Sequence, residues 1–159
     1  MINIMVRIII YLIFILFSCL SANANKIQDC FYECCFGSSY DEIMGKLVLQ
    51  DYEVEKHASY LAVEGVFFGG VYFDKVLFRF KKNVFYCIEF YSDDNSDTQE
   101  LHRKIVNKYN CFNIKDISAS ACDDLGRSVF SCFVSIDRYK YMLSYKDERL
   151  YDLCNSNDI

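Results

Sequence analysis

Proline and tryptophan are absent from this sequence, histidine occurs twice, and glycine only six times in 159 residues. Without proline or a low-complexity tract there is no proline-rich linker to separate domains, and the length suits one domain with a core of its own. No Cys-x-x-Cys pair occurs, which removes the common zinc patterns and the thioredoxin-type redox motif. His57 and His102 lie in unrelated segments, so neither completes a ligand set or a catalytic constellation. The net charge of −5, with scattered Lys and Arg, lacks the clustered cations that phosphate backbones require, so no nucleic-acid partner is expected. Gly69-Gly70 has no Lys-Ser/Thr behind it and reads as a turn rather than a phosphate cradle. The acidic loop Ser92–Asp97 lacks the order and distal Glu of a calcium loop and reads as solvated. No cofactor and no metal are expected.

What is present begins with an export signal. Arg7 precedes the apolar run Ile8–Phe17, and Ala22-Asn23-Ala24 supplies small residues where a signal peptidase cuts. The run is shorter than the ~20 residues needed to span a bilayer. Residues 1–24 are therefore read as a signal peptide and residues 25–159 as a single α+β domain. Leu16-Phe17-Ser18-Cys19 also resembles a lipobox, although Phe17 is bulkier than that pattern favours. In that case the signal is 1–18 and Cys19 carries a lipid, the one contact with a membrane. Both readings place the body of the protein outside the cytoplasm, periplasmic or secreted. The mass of the mature N-terminus separates them.

Eight cysteines remain beyond the signal: Cys30, Cys34, Cys35, Cys87, Cys111, Cys122, Cys132 and Cys154. An even number in an exported chain predicts a disulfide framework of up to four bridges, with the pairing open. Adjacent Cys34 and Cys35 are expected to take different partners, because a bridge between neighbours is strained.

Hydrophobic alternation supplies the fold class. Val63–Tyr91 reads as a meander, with a strand over Tyr60–Phe68, a turn at Gly69-Gly70, and further strands on either side of Lys81-Lys82-Asn83. In the first of these further strands Tyr72, Val76, Phe78 and Phe80 share a face that Asp74 interrupts; in the second Tyr86, Ile88 and Phe90 do. Phe130–Ile136 and Tyr139–Tyr145 add two strands joined at Asp137-Arg138. Capping boxes at Ser39–Glu42 and Ser96–Gln99 open two helices. The second helix carries Leu101, Ile105, Val106 and Tyr109 on its apolar face and exposes His102. Asn25–Phe36 and Cys111–Arg127 read as irregular. The expectation is an α+β fold: an antiparallel meander of about five strands with two helices on one face.

Phe36-Gly37-Ser38-Ser39-Tyr40-Asp41-Glu42, Phe68–Val76 and Lys108-Tyr109 resemble a family of small exported α+β proteins from Bacteroidetes-type bacteria that has no assigned activity. The resemblance covers about Phe36–Tyr145 and implies no catalytic residue. More remotely, the first helix and the following sheet are similar to BamE-like and β-lactamase-inhibitor-like modules, which bind proteins. Tyr139, Tyr141 and Tyr145 share a face by alternation. That face serves either as core or as a contact surface for an envelope or extracellular protein. A non-catalytic binding module is the leading functional expectation. An anchored structural lipoprotein, or a hydrolase using paired carboxylates, is the alternative.

Overall fold

The computed structural model describes residues 26–94, 96–114, 117–136 and 138–156. The expected signal segment with Cys19, and Asp137 of the expected strand link, lie outside these residues. The chain is mostly β. An eight-stranded antiparallel sheet runs in the order β3-β4-β5-β6-β10-β9-β8-β7, and a two-stranded hairpin, β1-β2, stands apart from it. The strands are β1 Cys30–Phe31, β2 Cys34–Cys35, β3 Val54–Lys56, β4 Tyr60–Phe68, β5 Val71–Lys81, β6 Val84–Ser92, β7 Phe112–Ile114, β8 Ser118–Cys122, β9 Arg127–Ile136 and β10 Tyr139–Asp147. Among the described residues three helices accompany them: α1 Tyr40–Leu49, α2 Ser96–Tyr109 and α3 Glu148–Leu153. None is long and apolar enough to cross a membrane.

This corrects the expected five strands and two helices. The five expected strands are present as β4, β5, β6, β9 and β10, in the middle of the sheet. The additional strands are two or three residues long, apart from β8, whose Ser-Ala-Ser-Ala-Cys carries no large side chain. Such segments are too short or too small to show a period. Tertiary pairing alone makes them strands.

The helices follow local chemistry. Ser39 caps α1 by accepting from the Glu42 amide at 3.3 Å, while the Glu42 carboxylate turns to Ser38 and Lys46 instead of back to the cap. Ile43 and Leu47 bury the inner face of α1. In α2, Leu101, Ile105 and Tyr109 are buried. The helix lies against the β4–β5 turn, where Gly69 (φ +61) has Leu101 Cδ1 2.9 Å from the place of a Cβ. Glycine suits both the left-handed backbone and that approach.

One face of the sheet holds the core, and three irregularities mark its strands. First, Val63 pairs with Val76 and Val66 with Phe73, all buried. Strict alternation would put Val66 and Phe73 on the opposite face. Gly65 (φ +68), opposite Asp74, reverses the pleat. Tyr72 therefore faces outward, 46% exposed, rather than joining Val76 and Phe78 as alternation predicts. Second, a register shift between Arg79 and Phe80 makes Tyr86 the extra residue of β6 and sends Phe85 into the core with Ile88 and Phe90. Third, the register between β9 and β10 shifts past Phe133–Tyr141, where β9 takes three steps from Phe133 to Ile136 against two on β10 from Tyr141 to Tyr139.

The β1-β2 hairpin plugs this core. Its turn residues Tyr32 and Glu33 both have positive φ, and Cys30–Cys35 closes it. Phe31, 2% exposed, meets Phe36, Phe68, Phe90 and Tyr145 at centroid distances of 4.9–6.1 Å. The opposite face of the sheet carries no helix among the described residues except α3 at one corner, where Tyr151 meets Tyr86 at 5.2 Å.

Candidate functional site

The sulfur framework differs from the expectation of up to four bridges. Cys30–Cys35 is the one disulfide among the described residues; Cys34, Cys87, Cys111, Cys122, Cys132 and Cys154 are free. Register explains several of these. Cys87 stands opposite Lys146, Cys132 opposite Met142 and Ser118, and Cys122 opposite Ser128, so no strand pairing puts two of them side by side. Cys34 and Cys35 were expected to take different partners; Cys35 bonds to Cys30, and Cys34 has no disulfide partner. Burial pushes the Cys34 thiol up to about 11 and the Cys87 thiol up to about 12, which keeps both protonated and unreactive. Cys154 donates to the Lys81 carbonyl at 3.3 Å and Cys111 to that of Ile105 at 3.6 Å. Of the free cysteines among the described residues, Cys122 is the exposed one.

A measurable consequence is that reductant weakens the protein without unfolding it. A bridge closing so short a loop contributes about 2 kcal/mol on the loop-entropy model. Native protein is expected to give fast alkylation at Cys122 and slow alkylation at the buried thiols, with six modified after denaturation without reductant. Complete unfolding in dithiothreitol would restore the multi-bridge framework.

The structure assembles a polar cluster that spacing does not show. His102 Nδ1 lies 2.8 Å from Ser131 Oγ, which lies 2.6 Å from Tyr141 Oη. His102, expected on the exposed side of α2, is 6% exposed, and it packs on the Phe133 ring at 5.2 Å. A serine hydroxyl beside an imidazole is the contact that nucleophilic catalysis uses. Here Ser131 and Tyr141 are both 0% exposed, so no substrate reaches the hydroxyl. The cluster satisfies buried polar atoms between α2 and the sheet. Burial raises the Tyr141 hydroxyl well above its ordinary value, although the Ser131 hydrogen bond works in the other direction.

The expected tyrosine face is divided. Tyr141 and Tyr145 are core, 0% and 1% exposed. Tyr139 lies on the other side, 5.3 Å from Tyr91 and beneath the Arg138 guanidinium at 5.3 Å.

That other side, the open face, has its own organisation. At its centre Arg79 pairs with Glu89 at 2.8 Å, Tyr91 donates to Glu89 at 2.8 Å, and Arg79 lies over the Tyr60 ring. Burial and the Glu89 carboxylate together raise the Tyr91 hydroxyl. Toward the β4–β5 turn, Phe67 (69% exposed) meets Tyr72 edge-on at 5.3 Å. Two troughs flank the short edge strand β3. One, of about 710 Å³, is basic, with Lys56, His57, Lys81 and Lys82 on its walls. The other, of about 680 Å³, is acidic, with Asp51, Glu53, Glu55 and Glu64. Among the described residues no group of three or more His, Cys, Asp or Glu is placed to hold a metal ion. The exposed aromatics were hidden from sequence reading because strict alternation assigns Tyr72 to the core.

Compared with known proteins, the chain matches no family model, no curated protein and no solved structure.

Proposed function

We propose that this chain is an exported, non-catalytic binding module that holds another envelope or extracellular protein against the open face of its sheet. The observation that carries the reading is the set of aromatics left outside the core: exposed Phe67 and Tyr72 beyond Gly65, and half-buried Tyr139 against Tyr91. Exposed aromatics beside a charged centre are the composition that contact surfaces favour. Export is supported by the leader-like first 24 residues, and the Cys30–Cys35 bridge accords with an oxidising compartment. Ser131 and Tyr141 of the His102 cluster are fully buried, which favours binding over catalysis.

The test is capture from envelope extract by immobilised full chain. Replacing Phe67, Tyr72 and Tyr139 together by Ser is expected to leave the melting temperature within a few degrees and to abolish capture. Tyr141→Ser is expected to unfold the protein, since it buries a hydroxyl-bearing ring at the core. Capture unaffected by the surface triple would refute this face.

A further inference from the structure

The outer edge of β3 is open, and the backbone geometry shows which groups it offers. His57 N–H donates to the Tyr60 carbonyl at 3.0 Å, closing the β3–β4 hairpin. Hydrogen-bonded pairs alternate along an antiparallel ladder. With Glu55 opposite Ala62 and Val54 opposite Val63, Glu55 is bonded inward, so the N–H and C=O groups of Val54 and Lys56 point away from the sheet. These form one repeat of the pattern that an added antiparallel strand pairs with. Val54 packs against the core, which leaves Glu53 and Glu55 on the open face beside Glu64, lining the acidic trough. Glu53 and Glu64 form no ion pair among the described residues; Glu55 meets His57 at 2.7 Å and Lys75 at 3.7 Å.

We propose that this edge takes up an extended segment of another protein, added antiparallel to β3, with Lys or Arg at alternate positions over the acidic trough. Charge decides the occupant. A second copy of the same chain pairing here about a two-fold axis has three registers that align the outward groups. They set Glu55 against Glu55, Glu53 against Glu55, or Lys56 against Lys56. Like charges directly opposite one another destabilise a ladder, so the edge is guarded against itself. A cationic strand meets no such repulsion. The proposal rests on the reading of the chain as a binding module, but not on which face of the sheet that module uses.

The probe is a capped synthetic peptide, Val-Lys-Val-Lys-Val-Lys-Val, titrated into the full chain and followed by amide NMR and calorimetry. Binding is expected, with the Val54 and Lys56 amides newly protected from exchange. Methylating the peptide's valine nitrogens, which face β3, is expected to abolish binding, whereas methylating its lysine nitrogens leaves it intact. Glu53→Gln with Glu64→Gln, both exposed and therefore tolerant of change, is expected to weaken binding about three- to tenfold. No binding, equal binding of both methylated peptides, or indifference to the Gln pair would each overturn the proposal. So would concentration-dependent dimerisation of the free chain that these peptides compete away. If the peptide fails while the aromatic face still captures a partner, the edge proposal falls alone.

Discussion

Truncation of Phe90 to alanine is expected to cost about 3–5 kcal/mol of unfolding free energy, a large part of the roughly 5–15 kcal/mol typical of a domain. Phe90 is 0% exposed and meets the Phe68 ring stacked at 4.6 Å, Phe73 at 5.2 Å and Phe31 at 6.1 Å. These partners come from β4, β5 and the disulfide hairpin, so the cavity would open where three parts of the chain converge. Close packing prevents all of them from collapsing into it. The neighbour Tyr91, on the open face, is the control: Tyr91→Ala is expected to cost about 1 kcal/mol, as the loss of one partly exposed hydrogen-bonded side chain. Denaturant midpoints at constant slope separate the two. Equal costs would mean that the two faces are not divided as described.

The second large effect is expected at Arg127. Its side chain is 12% exposed, lies 2.7 Å from Asp29 and 3.8 Å from Asp147, and fixes the lead-in segment to the β9–β10 hairpin. Asp147 is 3% exposed and also caps α3 through the Leu150 amide at 3.1 Å. Arg127→Ala strands a buried carboxylate with only the exposed Arg149 nearby at 3.4 Å. Breaking a buried pair from one side typically costs about 3–5 kcal/mol; the cap and Arg149 place the expected loss near the lower bound. Asp29→Ala, which leaves Arg127 with Asp147, is expected to cost about 1 kcal/mol. A loss below 1 kcal/mol for Arg127→Ala would show that water already screens the pair.

The long strands and both long helices were legible because each carries a period of its own. Val76, Phe78 and Phe80 alternate over a run long enough to read, and Ser39 and Glu42 mark where α1 starts. The short pairs β1-β2, β3 and β7 were not legible, because two or three residues hold no period. His102 shows the other limit. Its helical position follows from Leu101 and Ile105, but its burial depends on β9 arriving beneath it with Ser131.

The sequence by itself determined the antiparallel β character of the middle of the chain and the two long helices, since each is written in local periodicity and turn chemistry. Only the tertiary structure decided which side chains face the core. One irregular residue inverts the phase of a strand with period two, and Gly65 and Tyr86 each do so. It also decided which cysteines pair, because a bridge requires two sulfurs within reach and chain order does not report distance.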